Sequence, residues 1–376
     1  MLKQKIIAIF LVFLSIHVFA WEAGLFLSGF VNVPEGWSVL ENKEDKVTFA
    51  APGNSAFFQL KRYPGNSFKN IMDLYSSVSM ELGSTGEGEQ FLFDTRESYF
   101  ANINFSSSGF NYKGYLVCIE GESEDLVLLA FSEFDNFDVY ADFLLSSIDS
   151  FSLNESGLRY PGSISQFYYP WPGRDKTINY LAINSKNVAV SFDINEVDAA
   201  RVLIEREARI LVQYTKSDLV NSAWTRYYKL IYRDNYSRLK RISRIVDSEI
   251  ADDFESLTPL EKSSILLKWI QGFNYIRTGT LSDLMGPVDT VFKEAGDCDS
   301  RSLLYTMLLE YNGIDSILMV SSEYSHSLTG VAVNGKGAHF NFNGINYLIA
   351  ETTDNVSIGL IDSTMADPSK WMGIKF

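Results

Sequence analysis

The chain is 376 residues long, more than one average domain needs, and at 46% hydrophobic and 14% aromatic it can bury a sizeable core, which excludes predominant disorder. Forty-seven Asp and Glu against 32 Lys and Arg leave a net charge of −15 and a pI near 4.7. That is the wrong sign for neutralising phosphates, so nucleic acid and anionic membrane surfaces are excluded as partners.

Met1 to Ala20 carries Lys3 and Lys5, then an apolar run from Ile6 to Phe19, then Val18-Phe19-Ala20. This is the layout of a secretory signal peptide with a small residue at the cleavage point. An uncleaved anchor is the alternative, but the run is shorter than the roughly twenty residues that span a bilayer. Cleavage would remove two lysines from a net −15 and leave −17. The expected location is therefore periplasmic or secreted, with no transmembrane segment after cleavage. Export would permit a disulfide between the two cysteines. Cys118, however, lies in the strand-like run Gly114–Ile119, and Cys298 lies in a different candidate domain. Two free thiols are expected, with Cys118 a small buried hydrophobe.

After the leader, strand-like runs at Lys46–Ala50 and Ala56–Arg62 precede a helix at Phe68–Leu82. Strands follow at Phe91–Phe93, Glu97–Phe105, Gly109–Glu120 and Leu126–Ser132, and a helix at Tyr140–Ile148 closes the region. The opening Val33-Pro34-Glu35-Gly36-Trp37, a following sheet and a C-terminal helix resemble the PsbP-like fold. That resemblance implies an accessory domain over 21–152. The region has no His, so a binding role without chemistry is expected, and Tyr99, Phe100, Phe110 and Tyr112 are read as core.

Ser152 to Gly162, rich in Asn, Ser, Gly and Pro, is the predicted boundary to a second domain over 153–376. Beyond it, Ser165–Trp171, Thr177–Ile183 and Val188–Phe192 read as strands, and Glu196–Tyr214 and Ser222–Ile250 as helices. The basic run Arg238–Arg244 is expected on a solvated helix face. Leu257-Thr258-Pro259-Leu260-Glu261 is a helix start, with Thr258 as N-cap, Pro259 first in the helix and Glu261 completing a capping box.

Gly296-Asp297-Cys298-Asp299-Ser300 then runs into Arg301–Tyr311, where Leu303, Leu304, Met307 and Leu308 recur at helical spacing and Gly313 is the stop. A cysteine at a helix start meets unpaired N–H groups and the positive end of the dipole, which favour an anion, while two flanking aspartates oppose it. Strands are read at Ile314–Val320, His326–Val333 and Tyr347–Ala350, the last ending at Glu351, and Asn343-Gly344 is a hairpin turn.

Thiol acyl transfer needs a thiolate, an imidazole and a polar group that orients the imidazole. Beyond the leader the chain has two histidines, and only His326 stands in a motif; His339 is read as an exposed strand residue. Gly-Asp-Cys-Asp-Ser-Arg entering a helix, Ser-His-Ser-Leu-Thr-Gly-Val, and Asn-Tyr-Leu-Ile-Ala-Glu-Thr-Thr together resemble the transglutaminase-like (papain-fold) superfamily, over about residues 255 to 360. The resemblance implies Cys298 as nucleophile, His326 as general base and acid, and Glu351 as orienting carboxylate, where transglutaminases proper more often use Asp. It also implies Gln271 as the residue standing where papain-fold enzymes can place an oxyanion-hole donor. No cofactor or metal is implied. The substrate would be a protein or peptide of the cell envelope, attacked at an amide bond by hydrolysis or transamidation. The alternative is an inactive binding or structural protein on the same fold.

The expected fold class is α+β: a PsbP-like sheet domain, then an antiparallel sheet packed on the nucleophile helix. Strand geometry adds one condition. In a simple meander, His326 and Glu351 would lie roughly 20 Å apart at about 3.3 Å per residue. Their approach requires strand 326–333 to pair directly and antiparallel with 346–352, with 334–344 as an excursion.

Overall fold

Alternation of apolar and polar residues from Ser38 onward closes the N-terminal half of the chain into one antiparallel sheet. The computed structural model describes residues 24–27, 29–174 and 176–376, so the leader read at 1–20 lies outside the described residues. A short hairpin of β1 (Gly24–Phe26) and β2 (Gly29–Val31) leads in. The sheet strands are β3 (Ser38–Asn42), β4 (Lys46–Ala50), β5 (Ala56–Pro64), β6 (Thr85–Phe93), β7 (Arg96–Ser107), β8 (Phe110–Ile119) and β9 (Glu124–Glu133). Their order is β3-β4-β5-β9-β8-β7-β6.

Both faces of this sheet are covered. Helix α1 (Ile71–Leu82) packs Leu74 and Val78 against Leu116 and Cys118. Helix α2 (Phe137–Ser150) packs Leu144 and Ile148 on the other face, against Val117 and Ile119. Successive β8 residues thus serve opposite cores, which is the two-residue period of a strand. Cys118 is fully buried, and burial pushes its thiol well above the ordinary range. Both cysteines are free. Phe110 departs from the core reading and is exposed.

The segment expected as a strand at 165–171 is instead helix α3 (Ser163–Tyr168). Its first turn is held by the Asp149 carboxylate, which accepts from the Ile164 and Ser165 amides at 2.9 and 3.1 Å. An acidic cap fifteen residues upstream supplies what the local aromatic run does not encode.

The C-terminal half begins with the hairpin β10 (Lys176–Ile183) and β11 (Lys186–Asp193). Five helices follow: α4 (Asn195–Val212), α5 (Val220–Ile250), α6 (Pro259–Gln271), α7 (Pro287–Lys293) and α8 (Cys298–Tyr311). Helix α6 starts as its sequence dictates, with Thr258 and Glu261 closing a capping box. Helix α8 is buried all round from Ser300 to Leu309, packed among α5, α6 and α7 on one side and a second sheet on the other.

That sheet comprises β12 (Ser316–Ser321), β13 (His326–Val331), β14 (His339–Phe342), β15 (Ile345–Ala350) and β16 (Met372–Ile374). Its order, β14-β15-β13-β12-β16, makes β14 an excursion on the outer edge. Strand β13 pairs directly with β15, Thr329 opposite Ala350 and Val331 opposite Leu348. Asn343 and Gly344, at φ 50° and 82°, turn β14 into β15 as the type I′ geometry requires.

The two halves meet across a buried ionic layer. Arg206 pairs with Asp149 at 2.8 Å, and Arg226 with Glu207 at 3.1 Å. Arg226 also donates to the Asn32 carbonyl, and Arg233 to the Asp149 and Phe151 carbonyls. The basic run on α5 is not a uniformly solvated face. Arg238 is buried against Asp234 at 3.2 Å, while Lys240, Arg241 and Arg244 are exposed. Among the described residues no helix is long and apolar enough to cross a membrane.

Candidate functional site

Cys298 is the first residue of α8, and the physics of a helix start organises its surroundings. Asp297 is the N-cap, its Oδ1 accepting from the Ser300 amide at 2.9 Å and the Ser300 hydroxyl at 2.6 Å. One of the two flanking aspartates is therefore committed to the helix end. Burial, and then the neighbouring Asp299 charge, push the Asp297 carboxyl up to about 6. Asp299 is half-buried, its Oδ1 3.9 Å from the Cys298 Sγ.

His326 opens β13 and Glu351 follows the last residue of β15, so the direct pairing of these strands brings both to one sheet end. The His326 Nε2 and the Glu351 Oε2 are 2.7 Å apart. The other Glu351 oxygen accepts from the Thr353 amide and hydroxyl, each at 2.7 Å. The carboxylate is thus held in one orientation and has both oxygens satisfied. Burial alone would raise it, but the bonds from His326 and Thr353 hold it below the usual carboxylate range. The Cys298 thiol lies near enough to the imidazole to raise its proton affinity. Since Glu351 takes Nε2, Nδ1 is the nitrogen left for sulfur. Burial disfavours the charged ring, yet the bonds to Cys298 and Glu351 outweigh it and raise His326 to about 10. The Trp371 ring stands edge-on to the imidazole, with centroids 6.4 Å apart.

The structure does not bring Gln271 to the sulfur. Its amide donates to the Glu351 and Val356 carbonyls at 2.8 and 2.9 Å, so both hydrogens are spent on shaping the segment after β15. The oxyanion-donor expectation is corrected to a positioning one. His339 is exposed, as its lack of a motif implied.

Several residues of the site were not singled out from the sequence. Arg301 is buried and donates to the carbonyls of Gly296, Thr352 and Phe273, tying the cysteine turn to the end of β15 and the end of α6. An arginine inside an otherwise apolar helical repeat is the signal that could have found it, since such a group is buried only when its donors are satisfied. Thr353, two residues after an acid, carries the signature of a side-chain-to-backbone turn. Tyr228 of α5 left no such signal. Its ring is fully buried, and its hydroxyl makes no hydrogen bond among the described residues.

Cys298, His326, Asp299 and Tyr228 all line one cavity of about 570 Å³ between α5, α8 and the end of β13. A groove of that size accommodates a peptide segment or small amide. Among the described residues no three His, Cys, Asp or Glu side chains cluster as a metal site.

No protein-family model matches the chain, and no curated protein matches it. Solved structures do. Cyanobacterial PsbP of Synechocystis is similar at 12% identity and a TM-score of 0.28, covering 33% of this chain and 86% of its own. A protein of Bacteroides thetaiotaomicron is similar at 11% identity and a TM-score of 0.28, covering 89% of each chain. A proposed cysteine protease of Cytophaga hutchinsonii is similar at 10% identity and a TM-score of 0.24, covering 88% of this chain and 78% of its own. The chain is a mixed α+β protein with antiparallel sheets, distantly similar in structure to PsbP over a third of its length and to proposed cysteine proteases over most of it.

Proposed function

We propose that the chain is an exported, transglutaminase-like cysteine hydrolase or acyltransferase acting on amide or peptide bonds of the cell envelope. The observation that carries this reading is the chain of contacts from Cys298 through His326 to Glu351 at the wall of one cavity. In the proposed reaction the Cys298 sulfur attacks the amide carbonyl, and the C–N bond breaks as His326 gives its proton to the leaving amine. His326 then takes a proton from water as it opens the thioester, which restores the thiolate and releases the carboxylate. A second amine in place of water would give transamidation; hydrolysis is the first reading because water is the default acceptor. The domain scheme proposed with it is a leader at 1–20, a PsbP-like accessory domain at 21–152 and the transglutaminase-like domain at 153–376. Export rests on the leader pattern.

One observation favours a second reading. The Asp299 carboxylate 3.9 Å from the sulfur is a like charge to a thiolate, as it would be in a binding protein that keeps the fold without the chemistry. Alkylation by iodoacetamide, followed by intact mass, separates the two. Catalytic competence predicts that Cys298 reacts faster than a cysteine in a model peptide and that His326→Ala slows it at least tenfold. Labelling no faster than the peptide, and unchanged in that variant, leaves the binding reading.

A further inference from the structure

The carboxylate that argues against the thiolate is also where a substrate charge would fit. Of the acidic groups around the cavity, Asp283 is paired with Arg277 at 3.8 Å and Glu323 with Lys370 at 2.5 Å. Asp297 serves the helix end. Asp299 makes no ion pair with any Lys, Arg or His among the described residues, yet its Oδ1 stands 3.9 Å from the reacting sulfur in the lining of the cavity.

A second observation points the same way. The Tyr228 hydroxyl, on a fully buried ring that lines the same cavity, closes no hydrogen bond of normal length, and burial and then the nearby Asp299 charge push it well above the usual tyrosine range. A buried hydroxyl left without a partner has given up its hydrogen bonds to water with nothing in return unless a ligand satisfies it. A primary ammonium has three donors and no acceptor, so it can bond the Asp299 carboxylate and the Tyr228 oxygen together.

The distances admit an α-ammonium. In an acyl donor the α-nitrogen lies two bonds of about 1.5 Å from the carbonyl carbon. That carbon approaches a nucleophile to about 3–3.5 Å before attack. An oxygen 3.9 Å from Sγ is then within reach of a charged N–H···O bond of about 2.8 Å to that nitrogen. Occupancy would also place a cation between carboxylate and thiolate and remove their repulsion.

We infer that Asp299 and Tyr228 form a subsite for the free α-ammonium group of the residue whose carbonyl Cys298 attacks, so that the substrates are peptides or aminoacyl amides with an unblocked N-terminus and the product released from the thioester is a single amino acid. The inference rests on the proposed hydrolase reading. In bond terms the Cys298 S–C bond forms as the first peptide C–N bond breaks, His326 protonates the departing peptide amine, and water releases the amino acid.

Two reagents test it on the full chain: alanyl chloromethyl ketone with a free amine, and its N-acetyl counterpart. Each alkylates Cys298 with loss of chloride, read by intact mass at mildly acidic pH. The free-amine reagent should react at least tenfold faster relative to its acetylated partner than it does with free cysteine. That ratio should collapse toward one in Asp299→Asn and fall severalfold in Tyr228→Phe. Because each ratio is internal to one protein, a general loss of reactivity or of folded fraction in a variant does not mimic the result. A ratio near one in the unaltered protein, or a preference that survives Asp299→Asn, overturns the subsite and leaves the hydrolase reading standing. If neither reagent labels Cys298 faster than free cysteine, the hydrolase reading falls and the subsite falls with it.

Discussion

His326 is the residue on which the site's electrostatics turn. Its ring is partly buried, which taken alone would lower its proton affinity, yet contacts to Cys298 and Glu351 on its two edges raise it to about 10. Below the ordinary histidine value of 6.5 the stability from this pairing is fully present, and it is lost as pH rises through about 10. Proton NMR of the imidazole should therefore show His326 titrating far above the ordinary histidine value of 6.5. Glu351→Gln should move the His326 midpoint down by more than one unit, since the charged partner at 2.7 Å is removed while the shape is kept. A midpoint unchanged by that substitution would remove Glu351 from the orienting role.

At the scale of elements, three segments meet because a few polar side chains bridge their ends. Gln271, last in α6, clamps the segment after β15 through two carbonyls, and Arg301 ties the same segment to the start of α8. Gln271→Ala should cost about 1 kcal/mol in urea unfolding, because two part-buried carbonyls lose their donor. It should slow Cys298 alkylation only through that loosening. A variant with full stability and a large loss of reactivity would return Gln271 to an oxyanion role. These bridges explain what was legible. Helix α8, the capping box of α6 and the Asn343-Gly344 turn are local, and the sequence states them directly. Helix α3 was misread because its cap, Asp149, comes from α2, and Arg238 was misread because its partner and its burial depend on how α5 packs.

Across the whole molecule, the interface between the two halves carries more buried charge than either core. Glu35, in the Val-Pro-Glu-Gly-Trp turn, is buried there with both carboxyl oxygens lacking hydrogen bonds among the described residues. Tyr214 donates to its backbone carbonyl at 2.8 Å. Burial raises the Glu35 carboxyl from 4.5 to about 7, with the Arg226 charge opposing. Between these values the folded chain binds more protons than the unfolded chain, so this group makes stability fall as pH rises across the window. Glu35→Gln should flatten that fall and be worth up to about 3 kcal/mol at pH 8 relative to pH 5, measured by denaturant unfolding at both pH values. A stability difference unchanged by the substitution would place the pH dependence elsewhere in the layer.

The sequence alone determined the order of most elements, because strand alternation, helical spacing, caps and turns are encoded within a few residues of where they act. It also singled out Cys298, His326 and Glu351, each at the end of an element. What only the tertiary structure decided was their approach: β14 lies outside β15 rather than between it and β13, which swings Glu351 back to the His326 end of the sheet. It also decided that Asp297 is committed to capping α8 while Asp299, two residues on and inside the helix, is left with its carboxylate beside the Cys298 sulfur. Burial, pairing and direction are properties of neighbours brought from far along the chain, and no local pattern carries them.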